Sequence, residues 1–379
     1  MTARLLLSCG EPSGDLYAGA LMRELRAIDS GVVVSGLGGP RFEAAGGTLL
    51  DDYRDLSVTG LIEPIRKLPR LMTALRRLVA SARTQRPDAL VVIDFPDFNF
   101  RLARRIKQMG VPVVYYISPQ IWAWRAGRLK TIREIADRVL VIFPFEESIY
   151  RKAGIPVEFV GHPLVDLAKS SQPADAFLRA HGLTPGVPTV ALLPGSRPNE
   201  IDRILPDLLA AAGLIAGRVK PVQFVIARAP NLPDGLFAGV RRDAGPPTVI
   251  VEDDTDAVLA AADAVVTASG TATVQTALHD KPMVIVYRLS ALSYFIGRRF
   301  VKLDTFGMVN LIAGEKIVPE LIQDELTPQA VADEAVSLLT DRARAARVRE
   351  GLALVRQRLG ASGASRRAAE AILAVARAH

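Results

Sequence analysis

The sequence predicts an α/β protein with two parallel-sheet domains in tandem and a helical C-terminal tail. Its 379 residues are more than one hydrophobic core usually organises, so two domains are expected. Short runs rich in valine, isoleucine and leucine alternate with helical patterns almost throughout, which is typical of βαβ units. A polar stretch rich in serine, proline and glycine, 169–188, separates two such sets. We therefore expect domains at 1–168 and 169–340, and helices at 341–379 that pack back on the first domain or on a partner subunit.

The apolar runs assign the strands in chain order. The first sheet is assigned Leu5–Ser8, Val32–Gly36, Leu90–Asp94, Val113–Ile117, Val139–Ile142 and Val157–Val160. The second sheet is assigned Thr189–Leu193, Gln223–Ala227, Thr248–Val251, Ala264–Thr267 and Met283–Val286. The segment from Thr327 to His379 is rich in alanine and arginine, and we predict it to be entirely helical.

Composition and charge narrow the class of protein. Hydrophobic residues make up 49% and charged residues 23%, an ordinary globular balance that argues against disorder. The single cysteine, Cys9, excludes an internal disulfide framework and fits a reducing compartment. The N-terminal apolar run is short and enters a glycine loop, as a first strand would, which disfavours a signal peptide. A net charge of +7 favours an anionic partner: nucleic acid, a phosphorylated small molecule or an acidic membrane surface.

Several common nucleotide motifs are absent. The stretch GLGGPRFEAAGG has Arg41 where the third glycine of a dinucleotide-binding loop is needed, which disfavours a nicotinamide-dependent dehydrogenase. The phosphate-loop pattern GxxxxGK[ST] does not occur either. A basic nucleic-acid-binding module is disfavoured because no RNA- or DNA-reading motif accompanies the positive charge.

The loop CGEPSGDLYAGAL follows the first predicted strand. Gly10 and Gly14 would let the backbone approach a ligand, and Ser13 or Asp15 would cap the following helix. The alternative is a tight turn with a good cap and no ligand.

Two loops of the second domain begin in the same way. In LLPGSRPNEI, Arg197 could neutralise a diphosphate, with Glu200 as a capping partner, or it is simply a surface arginine. In VVTASGTATVQTAL, the segment Ser269, Gly270 and Thr271 lies between a strand and a helix, where backbone N–H groups and the helix dipole bind phosphate. Gln275 follows one turn later, within reach of a ribose.

Eight motifs occur in order along nearly the whole chain: GEPSGD, IDFPDFN, YYISPQIWAWR, FPFE, GHPLVD, LLPGSR, ASGTAT and MVNLIAGEKIVPELIQ. Together they resemble the bacterial lipid-A-disaccharide synthases. The resemblance implies the GT-B fold, two Rossmann-like domains facing a cleft. It implies an inverting transfer of 2,3-diacylglucosamine from UDP-2,3-diacylglucosamine to 2,3-diacylglucosamine 1-phosphate (lipid X), with a β-1,6 linkage and no cofactor. It also implies a homodimer. The alternatives are a UDP-N-acetylglucosamine 2-epimerase and a transferase with a soluble acceptor.

The resemblance assigns roles at the matching positions. Asp94 is our candidate for the base that takes the proton of the acceptor's 6-hydroxyl, because it ends a strand and its apolar neighbours would raise its pKa. Asp97, just before the helical run from Phe98, is interpreted as a helix N-cap. The substrate-binding positions implied by the motifs are Gly10, Glu11, Ser13, Gly14, Arg197, Ser269, Gly270, Thr271, Gln275 and Asn310. Gln275 departs from the glutamate that commonly binds ribose in this fold, and Asn310 is expected near the donor or its diphosphate.

The stretch VEDDTDAVLAAAD contains a candidate metal site. Asp254 and Asp256 formally match the D-x-D pattern of metal-dependent glycosyltransferases, but acids at a helix start usually cap it. We favour capping and expect no metal. The four histidines show no ligand spacing, and His162 is either a substrate contact or a hydrogen-bonded structural residue.

A basic amphipathic segment, 60–88, is interpreted as an approach for acylated substrates. Its candidate membrane-binding residues are Arg66, Lys67, Leu68, Arg70, Leu71, Met72, Leu75, Arg76, Arg77 and Val79. The alternative is a core-packed helix with a solvated basic face. Pro64 and Pro69 are expected to break this helix, and Trp122 and Trp124 either line a pocket or pack between elements. We expect a peripheral protein on the cytoplasmic, anionic face of the inner membrane.

Overall fold

The computed structural model describes residues 2–56, 63–119, 127–230, 232–240, 245–288, 305 and 307–378, without the side chains of 63–67. The chain forms two compact units, Met1–Asp166 with Leu359–His379, and Leu167–Arg358. The sequence prediction placed the divisions after 168 and 340, whereas the compact units divide the chain after 166 and 358.

The first unit is built on a parallel sheet. Its strands are β1 (Arg4–Cys9), β2 (Val33–Gly38), β3 (Thr48–Asp52), β4 (Ala89–Ile93), β5 (Val113–Tyr116), β6 (Arg138–Val141) and β7 (Val157–Phe159). Their order in the sheet is β3-β2-β1-β4-β5-β6-β7. The chain reverses its direction of strand addition between β1 and β4, which makes their carboxyl ends the switch point of this sheet.

Helices connect the successive strands, because neighbouring parallel strands can be joined only by crossover connections. Their bounds are α1 (Pro12–Ile28), α2 (Pro40–Ala44), α3 (Glu63–Gln85), α4 (Pro96–Lys107), α5 (Arg128–Ile135), α6 (Pro144–Lys152) and α7 (Leu164–Leu167). A short 3₁₀ turn covers Tyr53–Asp55. All five residues of β4 are fully buried because helices cover the sheet, which explains why apolar runs located the strands.

The second unit also has a parallel sheet. Its strands are β8 (Thr189–Leu193), β9 (Gln223–Arg228), β10 (Thr248–Glu252), β11 (Ala264–Ala268), β12 (Met283–Tyr287) and β13 (Glu320–Ile322). Their order in the sheet is β10-β9-β8-β11-β12-β13. The helices are α8 (Ala174–Ala180), α9 (Pro198–Arg218), α10 (Thr255–Ala261), α11 (Thr271–Leu278), α12 (Met308–Ala313), α13 (Pro328–Thr340) and α14 (Arg342–Arg358), with 3₁₀ turns at Asp234–Phe237 and Gln323–Glu325. The switch point lies between β8 and β11.

The last helix, α15 (Ala364–Arg377), belongs to the first unit and packs against α1. Two backbone contacts fix its approach: His162 N donates to Leu359 O at 2.9 Å, and Gly363 N donates to an Asp166 carboxylate oxygen at 2.8 Å. The tail is therefore helical as predicted, with breaks at 341 and 359–363.

Three predictions about elements were wrong. The strands β3 and β13 were missed because they are short edge strands, and Thr48–Asp52 carries two aspartates. The predicted linker contains α8. The predicted breaks at Pro64 and Pro69 do not occur, because both prolines lie within α3. Within the described ranges, no helix has both the length and the apolar content needed to cross a membrane.

Candidate active site

The loops singled out in the sequence follow the strands on either side of the two switch points. In the first unit, Gly10 follows β1 and Asp94 follows β4, and these strands pair in register with Cys9 opposite Ile93. In the second unit, the loop of Arg197 follows β8 and the loop of Ser269 follows β11. Ligands of open α/β sheets bind at such carboxyl edges, so each unit presents one candidate site.

The turn after β4 has an unusual backbone. Asp94 and Phe95 have φ angles of 45° and 48°, in the left-handed region that non-glycine residues rarely adopt. Such residues cost about 1–3 kcal/mol each and persist where surrounding contacts hold them. Asp94 itself is half-buried, and its N–H donates to Ile117 O at 3.1 Å. The candidate base thus lies on a held turn at the carboxyl edge of the sheet.

Gly10 has a packing role that the sequence reasoning did not foresee. A β-carbon at this position would lie 2.2 Å from the ring of Phe95, so only glycine fits beneath that ring. Phe95 in turn stacks on Phe98, with the ring centroids 5.4 Å apart. A β-carbon on Gly14 would lie 3.1 Å from the Cys9 β-carbon. Both glycines therefore serve close packing within the protein.

The predicted cap of α1 is corrected. The N-cap residue is Glu11, and neither Ser13 nor Asp15 caps this helix. The buried Asp15 carboxylate instead accepts hydrogen bonds from three backbone groups at the start of α2: Gly39 N at 2.8 Å, Arg41 N at 3.0 Å and Phe42 N at 3.1 Å. Asp15 therefore joins two helices that flank β1 and β2, because a buried carboxylate needs hydrogen-bond donors.

Asp97 is also corrected. The N-cap of α4 is Phe95, and Asp97 lies inside the first helical turn, where its charge complements the helix dipole. Its side chain is 84% exposed and accepts a hydrogen bond from Arg128 Nη2 at 3.0 Å. Arg128 also lies over the Phe100 ring, 5.7 Å from its centroid.

An aromatic cluster lies at the same edge of the first unit. The ring of His162 is in contact with Tyr17 and Phe143, at centroid distances of 6.1 and 5.4 Å, and Phe143 stacks on Phe145. His162 Nδ1 accepts a hydrogen bond from Leu164 N at 3.1 Å, and burial lowers the pKa of the imidazole to about 3. His162 is therefore neutral at pH 7 and hydrogen-bonded within the fold, which favours the structural interpretation.

Burial also raises the pKa of the tyrosines nearest Asp94. The pKa of Tyr115 lies well above its usual value because of burial and, second, the charge of Asp94. The pKa of Tyr17 is raised by burial, by Tyr116 and by Asp94. Both phenols stay protonated at neutral pH, so Tyr115 donates its hydrogen bond to Asp94 O, at 2.9 Å.

In the second unit, Arg197 is the N-cap residue of α9. Glu200 Oε2 accepts hydrogen bonds from Ser196 N at 3.0 Å and Arg197 N at 3.3 Å, which confirms its predicted capping role. Glu200 Oε1 is 3.5 Å from an Arg197 guanidinium nitrogen, and the Arg197 side chain is 49% exposed. The guanidinium is accessible at the carboxyl end of β8, as a group that binds a phosphate must be.

The loop after β11 has the predicted strand-to-helix form. Gly270 is the N-cap of α11, with φ at 149°, and Thr271 begins the helix. The first N–H groups of a helix have no intrahelical acceptor and favour negative charge. Ser269 N donates to Val286 O at 3.0 Å, which ties the loop to the end of β12. A β-carbon on Gly270 would meet no atom within 4 Å, so the backbone there is open to approach.

Gln275 and Asn310 have internal partners. Gln275 Nε2 donates to Asp256 Oδ1 at 3.1 Å, and His279 Nε2 contacts the same oxygen at 2.8 Å. The buried Asn310 amide donates to Val318 O and Glu320 Oε1, at 3.0 and 2.7 Å, and its oxygen accepts from the N–H groups of Ile317 and Val318. All hydrogen-bonding positions of Asn310 are therefore filled inside the second unit.

The acids of the D-x-D pattern confirm the capping interpretation. Asp254 is the N-cap of α10, and its carboxylate accepts a hydrogen bond from Ala257 N at 3.2 Å. Among the residues that the structure describes, no group of three or more metal-ligating side chains comes together.

The candidate membrane-binding residues on the basic helix α3 differ in their burial. Leu75 and Val79 are buried in the core of the first unit, so these two are corrected to packing positions. Leu71 and Met72 are partly buried against that core. The exposed candidates are Leu68, with 46% of its surface accessible, Arg70, Arg76 and Arg77. The Arg77 guanidinium also donates a hydrogen bond to the Asp51 carboxylate at 3.3 Å. Arg66, Lys67, Trp122 and Trp124 lie outside the described side chains.

Two further residues at the site received no role from the sequence. Asn99, the last residue of the IDFPDFN motif, is fully buried, and its amide nitrogen donates a hydrogen bond to the backbone carbonyl of Asp94. The Tyr115 hydroxyl, carried on β5, donates to the same carbonyl. Because Asn99 belongs to the IDFPDFN motif, the motif itself indicated that this residue could have a role at the site. Its contact with Ser8, 91 positions away, is not readable from local pattern.

Comparison with known proteins agrees with this architecture. A family model described as lipid-A-disaccharide synthetase matches residues 5–375. The lipid-A-disaccharide synthase of Syntrophus aciditrophicus is 44% identical over 366 residues, 96% of each chain. That of Myxococcus xanthus is 42% identical over 370 residues, 98% of this chain and 97% of the relative.

Solved structures show the fold. A UDP-GlcNAc 2-epimerase from Neisseria meningitidis, bound to UDP-GlcNAc, has a TM-score of 0.70 at 12% identity, covering 99% of this chain and 100% of that one. The glycotransferase of kitacinnamycin has a TM-score of 0.63 at 17% identity, covering 99% of each chain. The fold is therefore GT-B. From the sequence relatives, the chain belongs to the lipid-A-disaccharide synthase family, glycosyltransferases that make the lipid A disaccharide from a UDP-sugar and a lipid acceptor.

Proposed function

We propose that the chain transfers 2,3-diacylglucosamine from UDP-2,3-diacylglucosamine to the 6-hydroxyl of 2,3-diacylglucosamine 1-phosphate. The acceptor oxygen attacks C1 of the donor sugar, the bond from C1 to the diphosphate breaks on the opposite face, and UDP leaves. The product is the β-1,6-linked disaccharide 1-phosphate. The observation that carries this proposal is a half-buried carboxylate, Asp94, at the switch point of the first sheet.

Asp94 acts as the general base in this scheme. It takes the proton of the attacking hydroxyl, so that the oxygen is more nucleophilic as the new bond forms. An inverting displacement needs no second, nucleophilic carboxylate. Asp97, three residues on, is engaged by Arg128 and exposed, and has no such role.

The second unit binds the donor through its two switch-point loops. The Arg197 guanidinium and the N-terminal end of α11 at Ser269, Gly270 and Thr271 stabilise the negative charge that UDP carries away. Gln275, already bound to Asp256, contacts the ribose with its amide. Asn310 acts near the donor by ordering Ile317 and Val318 around its buried side chain. Glu11 and Ser13 lie along the acceptor side.

The acyl chains of both substrates require an approach from a lipid surface. The exposed residues of α3, Leu68, Arg70, Arg76 and Arg77, with Arg66 and Lys67, attach the enzyme to the anionic cytoplasmic face of the inner membrane. A homodimer is part of the same proposal.

The deciding experiment measures UDP release from UDP-2,3-diacylglucosamine in detergent, with and without the 1-phosphate acceptor. Release that depends on the acceptor and yields a disaccharide 1-phosphate supports the proposal. UDP-N-acetylglucosamine is the matched control donor: an epimerase would convert it without acyl chains, detergent or acceptor. Absence of acceptor-dependent release from folded protein would contradict the proposed substrates.

A further inference from the structure

The turn after β4 is held in place by hydrogen bonds to its backbone as well as by packing. Asp94 and Phe95 are consecutive left-handed residues, and neither is a glycine. Residues persist in this backbone conformation only where surrounding contacts hold it, so the N–H and carbonyl groups of the turn need fixed hydrogen-bond partners. The N–H of Asp94 is fixed by Ile117 O, at the end of the neighbouring strand β5.

Asn99 holds that carbonyl from within α4. Its amide nitrogen lies 2.7 Å from Asp94 O, with longer contacts of 3.3 Å to Ile93 O and 3.4 Å to Ser8 O. Its amide oxygen accepts a hydrogen bond of 2.7 Å from the hydroxyl of Ser8 on β1. Asn99 therefore links the ends of β1 and β4 through one buried side chain whose orientation is set by Ser8.

Tyr115 holds the same carbonyl from the opposite side. Its hydroxyl, carried on β5, donates to Asp94 O at 2.9 Å. Asp94 O thus receives two hydrogen bonds, one from a helix and one from a strand. With the N–H and the carbonyl both fixed, the direction in which the Asp94 side chain leaves the backbone is fixed too.

We propose that Asn99 and Tyr115 are positioning residues for sugar transfer: they hold the backbone of Asp94 and thereby place its carboxylate at the acceptor hydroxyl. This rests on the proposed function, in which Asp94 is the base. Both side chains are fully buried, so neither touches a substrate and both act through Asp94. Displacing a reacting group by about 1 Å costs on the order of 100-fold in rate.

Tyr115→Phe is the decisive variant because it removes one hydroxyl and leaves the ring in place. We expect kcat to fall roughly 10-fold, with KM for both substrates within about twofold of wild type. Tyr150→Phe is the matched control. Tyr150 is equally buried in the same core, and its hydroxyl lies beside Ser118. It should keep wild-type kcat. Asn99→Ala should lower kcat further, with the melting temperature reported alongside.

A double-variant cycle separates positioning from mere structure. In an Asp94→Ala background, Tyr115→Phe should leave the residual turnover unchanged, since no carboxylate remains to place. An equal loss in both backgrounds, or a wild-type kcat for Tyr115→Phe, would overturn the inference. Near-normal turnover of Asp94→Ala alone would instead overturn the assignment of the base, so the two failures are distinguishable.

Discussion

The ring of Phe95 occupies the space that a side chain on Gly10 would need: a β-carbon there would lie 2.2 Å from the ring. The loop after β1 and the loop after β4 are thus fitted to each other at the switch point of the first sheet. A side chain at position 10 would displace Phe95, and with it the turn that carries Asp94. Gly10 therefore matters to the site through Phe95 as well as through any ligand.

Asp94→Ala is expected to lower turnover by about 10²–10⁴-fold while leaving UDP binding nearly intact, because the general base acts only on the acceptor. Turnover is measured as UDP release, and UDP binding by calorimetry. Asp97→Ala is the control: it removes a carboxylate three residues away that is paired with Arg128 and exposed. Near-normal turnover of Asp94→Ala, or an equal loss in Asp97→Ala, would remove Asp94 as the base.

Because His162 is buried in its neutral form, we expect the free energy of unfolding to decrease in acid. Burial lowers its folded pKa to about 3 from 6.5, so between these pH values the unfolded state binds a proton that the folded state does not. The contribution of the neutral, buried His162 to the free energy of unfolding is complete above pH 6.5. It falls by about 1.4 kcal/mol per pH unit as the pH decreases toward 3. His162→Asn keeps an acceptor for Leu164 N and removes this titration, so its free energy of unfolding should fall less between pH 7 and 4.

Urea unfolding at three pH values, followed by circular dichroism, measures this difference. His181→Asn is the matched control, because His181 lies in the second unit with its ring against Phe177. Parallel pH dependences for wild type and His162→Asn would show that another group carries the acid sensitivity.

Most buried strands, and the position of the site loops after them, could be predicted from the sequence. Parallel strands covered on both faces are continuous apolar runs, as in β4, and the residues that follow them lie at the carboxyl edge. The short edge strands β3 and β13 leave no such signal. Nor does any local pattern show that Asp15 binds the start of α2, or that Ser8 and Asn99 meet, since these contacts join residues far apart in the chain.

Turnover is expected to survive EDTA. Asp254 caps α10, and Asp256 is bound by Gln275 and His279, so both carboxylates of the D-x-D pattern have partners in the protein. UDP release is compared after dialysis against EDTA, with and without added Mg²⁺. A loss of activity that Mg²⁺ restores would reinstate the metal hypothesis, and Asp254→Asn would then test which carboxylate binds it.

Reversing two exposed charges on α3, with Arg70→Glu and Arg76→Glu together, should release the protein from vesicles that contain anionic lipid. Each basic residue near such a surface contributes about 1 kcal/mol, so the double variant should bind at least about 30-fold more weakly. Arg101→Glu with Arg105→Glu is the control, since both are exposed on α4 and the change in net charge is the same. Equal weakening of both pairs would mean that net charge alone drives binding. Unchanged binding of the α3 variant would leave α3 as a core-packed helix with a solvated basic face.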